Sequence, residues 1–281
     1  MDTKEGTLYL CATPIGNLSD ISMHVVDTLR EADLIAAEDT RNSIKLLNRY
    51  EIRTPMTSYH EHNKYDKARE LIRQIKGGKN IALITDAGTP AISDPGEELV
   101  RMCHEEGIRV TSLPGPCACI TALTLSGFRA RRFCFEGFLP ADKKERREIL
   151  EQLRDETRTV ILYEAPHHLK GTLDQLLETL GSRDLALCKE LTKKHESCMR
   201  MTLKDAVDHF ADNEPKGEYV LVIAGKDPEE KKEESREEWR KLTLEEHMKI
   251  YEDQGLDRKE CMKKVASDRG MTKRDVYQQL L

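Results

Sequence analysis

The segment from Leu83 to Gly96 reads Leu-Ile-Thr-Asp-Ala-Gly-Thr-Pro-Ala-Ile-Ser-Asp-Pro-Gly, and it concentrates residues able to do chemistry. Two Asp, two Gly and two Pro in so short a span make a convoluted, stiff turn. Gly88 has no Cβ, so backbone can approach a ligand there, while Pro90 and Pro95 restrict the path of the chain. The turn follows a buried-looking strand at 80–85 and precedes a helix from Glu97. A rigid polar loop at the carboxyl end of such a strand is where open α/β sheets take ligands.

Other strand ends carry comparable groups. The strand at 7–12 runs into Thr13-Pro14-Ile15-Gly16-Asn17-Leu18-Ser19-Asp20-Ile21, whose Pro-x-Gly turn sets backbone amides at the sheet edge. It has neither Gly-x-Gly-x-x-Gly nor Gly-Lys-Ser/Thr, and Ser19 or Asp20 would equally serve as an N-cap for the next helix. Glu38-Asp39-Thr40-Arg41 closes the strand at 33–37, offering a base with an orienting cation, or a helix cap with acids on the positive dipole end. Repetition favours a site, because successive strands end in polar, turn-rich loops on one sheet edge. Pro114-Gly115-Pro116 opens a helix whose first residues, Cys117-Ala118-Cys119, are small enough to pack closely on a cofactor or on a sheet. Glu164 and the run from Lys189 to Lys194 follow later strands. The adjacent His167 and His168 point in different directions with no third ligand, so no metal centre is expected.

Positioning these loops requires alternating strands and helices. Strands are predicted at 7–12, 33–37, 80–85, 109–113, 133–138, 159–163, 185–189 and 218–224. Helical patterns lie at 21–31, 43–50, 64–76, 97–105, 118–125, 143–154, 168–180 and 203–210. Such alternation predicts an α/β protein with largely parallel sheets. The prolines around Gly115 and the glycine at 225 divide it into two α/β domains, 1–115 and 116–225. A charged linker or solvated helix follows at 226–238, then a helical extension at 239–281. In that extension Gly255 and Gly270 read as C′ caps and Thr272 as an N-cap, giving a spacing like a helix-turn-helix.

Bulk properties narrow the class. Charged residues make up 34% of the chain and the formal net charge is −6, so no global basic field marks a nucleic-acid binder. Charge is uneven, however. From Arg129 to Arg147 seven basic residues face three acidic ones, and from Trp239 onward ten face eight. The eight cysteines hold no Cys-x-x-Cys pair, no secretory pattern precedes them, and no apolar run has membrane-spanning length. Free thiols in a reducing, cytoplasmic setting are expected.

The turns at 13–17, 86–96 and 114–118 resemble the three landmarks of the tetrapyrrole methylase family. Phe135-Glu136-Gly137-Phe138-Leu139-Pro140 and Tyr163-Glu164-Ala165-Pro166-His167, with the longer runs at 13–21, 37–41 and 86–96, are similar to one branch of it. The likeness covers roughly residues 6–225. It implies two α/β domains with S-adenosylmethionine in the cleft between them. The branch methylates the ribose 2′-oxygen of a decoding-centre cytidine in 16S rRNA of the small ribosomal subunit, as a homodimer. By position, Pro14, Asp86, Ala87, Gly88, Thr89, Ile92, Cys117, Ala118, Glu164 and Leu191 would hold the cofactor. Asp39 would accept a proton, with Glu38 and Arg41 orienting it or the ribose. RNA phosphates would meet Arg129, Arg131, Arg132, Lys143, Lys144, Arg146 and Arg147. A carbon methylase of the same fold would carry Gly-Gly-Asp-Pro where this chain has Ala87-Gly88-Thr89-Pro90. A ligand-sensing DNA regulator would need a more basic tail.

Overall fold

Alternation along the first strands dictates a layered architecture. In β1 (Thr7–Cys11), Leu8 and Leu10 pack on one side of the sheet and Tyr9 and Cys11 on the other. β2 (Leu34–Ala37) and β4 (Ile81–Ile84) divide their apolar residues in the same way. With both faces apolar, helices must cover each side. Together with β3 (Met56–Ser58) and β5 (Arg109–Leu113), these strands form an all-parallel sheet in the order β3-β2-β4-β1-β5. α1 (Met23–Glu31) and α2 (Thr40–Arg49) cover one face through Val25, Val26, Leu29, Leu46 and Leu47. α3 (Lys64–Lys76) and α4 (Gly96–Glu105) cover the other through Leu71, Ile75, Leu99 and Cys103. Leu8, Ile81 and Leu99 are fully buried, each contributing about 1.5–3 kcal/mol relative to exposure.

The computed structural model describes residues 5–281; the first four residues of the start, read above as lacking a secretory pattern, lie outside the described residues. β1 and β4 are neighbours, yet the helices that follow them lie on opposite faces. Their loops therefore part, and a crevice opens at the carboxyl ends of the two strands. Thr13 N–H donates to Gly88 O at 2.9 Å and Gly88 N–H to Thr13 O at 3.1 Å, tying the loops at its base. Ser22, not Ser19 or Asp20, caps α1, because a 3-10 turn at Leu18–Asp20, capped by Asn17, delays its start.

α5 (Ala118–Ser126) leaves the first sheet and packs on a second, where Cys119, Ala122 and Leu123 meet Ile161, Ala186 and Val222. That sheet comprises β6 (Phe133–Phe138), β7 (Thr159–Glu164), β8 (Asp184–Lys189), β9 (Ser197–Thr202) and β10 (Tyr219–Ile223), in the order β6-β7-β10-β8-β9. β6 and β7 run parallel, and the remaining pairs are antiparallel. The expectation of largely parallel sheets thus holds for the first sheet and fails for the second. A few residues at 190–196 join β8 to β9, and a parallel crossover needs about a dozen or more. α6 (Lys143–Leu153), α7 (Pro166–Leu180) and α8 (Leu203–Asp212) complete this half.

Residues 151–158 and 225–281 form a separate compact unit. The charged stretch is helical, α9 (Pro228–Arg240), with no buried residue. α10 (Leu244–Glu252), α11 (Arg258–Arg269) and α12 (Lys273–Gln279) share a small core of Leu244, Met248, Cys261, Val265 and Val276. Gly270, at φ +64°, ends α11, and a Thr272–Asp275 capping box begins α12. Trp239 stacks on the buried ring of His247 with centroids 4.1 Å apart.

Candidate functional site

A cavity of 470 Å³ opens at the carboxyl-terminal loops of the first sheet, within the roughly 300–1,000 Å³ of small-molecule sites. The loop after β4 lines it with Thr85 to Thr89 and Ile92 to Asp94, the loop after β1 with Ile15, and the start of α5 with Cys117 and Ala118. From the second sheet come Phe138, Tyr163, Glu164, Leu191, Tyr219 and Val220. Of the residues that the resemblance assigns to the cofactor, Asp86, Ala87, Gly88, Thr89, Ile92, Cys117, Ala118, Glu164 and Leu191 line this cavity. Pro14 does not; its neighbour Ile15 takes that place. Tyr219 arrives because β10 runs antiparallel to β7 and pairs Tyr219 with Glu164, a long-range register that no local motif announces.

Backbone geometry explains the loop's composition. Gly88 sits at φ +88°, and a Cβ there would lie 3.3 Å from Ile15 Cγ2. Asp94 braces the far side, its carboxylate accepting Ala91 N–H and Gly96 N–H, each at 2.8 Å. Buried Tyr59 donates its hydroxyl to Pro95 O at 2.9 Å. Opposite, Asn17 N–H donates to Thr192 Oγ1 at 3.0 Å, holding the first loop against the strap that follows β8.

Three carboxylates gather at one end of the cavity. Asp86 lines it and accepts Asp39 N–H at 3.1 Å and Asn42 Nδ2 at 3.3 Å. Burial, with the nearby charges of Glu38 and Asp39, raises the Asp86 pKa above the ordinary carboxylate value. Glu38 accepts the Thr85 hydroxyl at 2.6 Å and Asp86 N–H at 3.3 Å. Asp39, expected as proton acceptor, lies outside the cavity wall and caps α2. The Arg41 guanidinium grips its carboxylate at 2.8 and 3.1 Å, and the Arg41 N–H adds a bond at 2.8 Å. Those bonds hold its pKa down to about 2, so it is the weaker base of the two.

Cys117 and Cys119 bring their sulfurs to 3.3 Å at the start of α5. A hydrogen bond shared between the two thiols, helped by the first backbone N–H groups of the helix, lowers Cys117 below the ordinary thiol value and raises its partner. Cys119 N–H is held by the Tyr163 hydroxyl at 3.0 Å. Glu164 is buried, accepting Ala165 N–H and the Thr172 hydroxyl.

The basic residues expected to meet RNA divide into separate groups. Arg129, Arg131 and Arg132 precede β6, whereas Lys143, Lys144 and Arg147 follow it on α6. A six-residue strand spans about 20 Å. Arg146 departs from expectation, turning inward to donate to Gln175 Oε1 and Thr172 Oγ1, both at 2.6 Å. It thereby braces the threonine that holds Glu164. Among the described residues there is no His/Cys/Asp/Glu cluster placed for a metal and no helix long and apolar enough to cross a membrane.

A family model described as Tetrapyrrole (Corrin/Porphyrin) Methylases matches residues 7–207. The chain is 48% identical to the ribosomal RNA small subunit methyltransferase I of Halalkalibacterium halodurans, over 97% of this chain and 94% of that protein. It is 47% identical to the Bacillus subtilis protein of the same name, over 97% and 93%. Among solved structures, uroporphyrin-III-C-methyltransferase from Thermus thermophilus matches with a TM-score of 0.56 at 18% identity, covering 77% of this chain and 94% of that one. That last likeness is one of fold.

Proposed function

The chain belongs to the tetrapyrrole (corrin/porphyrin) methylases, a family of S-adenosylmethionine-dependent methyltransferases, and from that premise we propose that it methylates the ribose 2′-oxygen of a decoding-centre cytidine in 16S rRNA. The observation that carries this reading is identity near one half, over almost the whole chain, with proteins named for small-subunit ribosomal RNA. A homodimer acting on the small subunit in the cytoplasm completes the reading.

The cavity suits S-adenosylmethionine. Backbone can approach a ligand at Gly88, where a side chain would crowd Ile15. Ile15, Leu191 and Val220 offer apolar wall, and Asp86 and Glu164 offer carboxylates for cationic or hydroxyl-bearing parts. The cofactor supplies a methyl group on a positively charged sulfur, already activated for transfer. Ala87, Gly88, Thr89, Cys117 and Ala118 would hold it from the first-sheet loops, with Glu164 and Leu191 across the cavity. The protein's remaining tasks are to orient the ribose and receive its proton. We assign the proton to an Asp86 carboxylate oxygen, because that group faces the cavity and its basicity is raised. Asp39 N–H and Asn42 fix its orientation, Glu38 adds negative charge, and Arg41 neutralises Asp39.

The test is transfer of tritiated methyl from S-adenosylmethionine, offered in parallel to small subunits from cells lacking this protein, naked 16S rRNA and a tetrapyrrole. Label in RNA, stronger with assembled subunits, is expected. Label in the tetrapyrrole alone would overturn the reading.

A further inference from the structure

We propose that Phe138 is the platform on which the base of the target nucleotide stacks, an inference that rests on the RNA reading above. Phe138 ends β6, belongs to the cavity wall, and is nevertheless 57% exposed. Its position is built. β6 slips register against β7 between Phe135 and Gly137. Gly137 takes φ +62°, a conformation that side-chain-bearing residues seldom adopt. A bulge of this kind bends the strand and re-aims the side chain that follows. Without it, strict alternation would continue through Phe138 along the original pleat.

The ring is supported on one side and open on another. Tyr163 meets it edge to face, with centroids 5.6 Å apart at 65°. Tyr163 is itself fixed by Phe135, at 4.9 Å, and by accepting Cys119 N–H. Ile92 lines the same cavity and is 46% exposed. A Cβ on Gly137 would lie 3.6 Å from Ser93 Oγ, so the bulge and the Ile92 loop adjoin at the rim.

Charge completes the surface. Lys143, Lys144 and Arg147 are exposed in the first turns of α6. Lys143 lies within about 18 Å of Phe138 even along an extended chain. Asp86 lies within the cavity wall, and the 2′-oxygen of a nucleotide reaches it most directly when that nucleotide leaves the surrounding stack. Proteins that act on such nucleotides receive the base on aromatic or apolar side chains and hold the flanking phosphates with cations. An inward carboxylate, an open aromatic at the rim and cations beyond it form that sequence of contacts.

The test compares the full-length protein with Phe138→Ala, Phe138→Leu and Phe138→Trp. S-adenosylmethionine affinity is measured by calorimetry, and kcat and KM on small subunits from cells lacking the protein. Cofactor affinity should stay within about two-fold throughout. For Phe138→Ala, kcat/KM on subunits should fall by about five- to a hundred-fold, the range of a lost base–aromatic stack. Phe138→Leu should fall comparably and Phe138→Trp stay near wild type. Full activity in Phe138→Leu would reduce the ring to apolar bulk, and full activity in Phe138→Ala would remove it from recognition; either overturns the proposal. A loss of cofactor affinity matching the loss of activity would make Phe138 a cofactor contact and also overturn it. A wild-type protein that binds cofactor yet leaves subunits unlabelled would overturn the RNA reading, and this inference with it.

Discussion

Asp86 and Asp39 are the same residue type in hydrogen-bond contact, and their surroundings drive them in opposite directions. Asp39 is a fully engaged cap held at about 2, whereas Asp86 faces the cavity with its pKa raised. Asp86→Asn should therefore lower kcat by about 10²–10⁴, with cofactor binding largely kept. Asp39→Asn should cost less than about ten-fold, because Asn caps a helix as well as Asp. Steady-state kinetics with calorimetry on both variants would decide; equal losses would return Asp39 to the acceptor role. Since the acceptor must be deprotonated, wild-type activity should fall as pH drops through a value above that of an ordinary aspartate. Cys117 adds a second pH signature. Alkylation of Cys117 by iodoacetamide, followed by mass spectrometry, should reach half its maximal rate at a pH below that of an ordinary thiol and be slowed by S-adenosylmethionine. A midpoint above pH 8 would contradict the helix-start environment described for it. Residue types were readable from sequence at both positions. The direction of each shift was not, because the side-chain direction of Arg41 is set only by the fold and Asn42 advertises nothing by itself.

The loop after β4 was the most legible element, since its glycines and prolines state their purpose locally. Gly88 requires a positive φ and sits tight against Ile15, so Gly88→Ala should cost about 1–2 kcal/mol of stability. It should also weaken cofactor binding. Denaturant titration and calorimetry would check both, and an unchanged pair of values would show that the loop tolerates a side chain. β6 was legible as a strand, but its bulge was not: Phe-Glu-Gly-Phe reads as ordinary alternation until the register with β7 is known. The same strand divides the basic residues. Reversing Lys143, Lys144 and Arg147 should raise KM for subunits, and its salt dependence should flatten, more than reversing Arg129, Arg131 and Arg132. An equal effect from both sets would mean that the RNA footprint reaches past the end of β6. Arg146 belongs to neither set, and its inward contact with Thr172 had no sequence signal because the two helices meet only in the folded chain.

At the scale of the molecule, strand–helix alternation revealed the first sheet because β1, β2 and β4 are apolar on both faces and bounded by helical patterns. The second sheet was less readable. Strand direction there follows from connection length, and β9, with Ser197, Arg200 and Thr202 among its residues, lacks the composition of a buried strand. β3, three residues long, was too short to stand out. The cavity was legible in its first-sheet half, where consecutive loops share one edge, and less so where β10 brings Tyr219 from far along the chain. The whole arrangement has one consequence: a single ribose in the small subunit should carry a methyl group because this protein exists. Small-subunit RNA from cells lacking the protein, incubated as assembled subunits with the purified protein and S-adenosylmethionine, should be digested and its modified nucleotides mapped by mass spectrometry. One 2′-O-methylcytidine, appearing in the decoding region, is the result predicted. A methyl group on a base or at scattered sites, or none at all from a protein with demonstrated cofactor binding, would contradict the account.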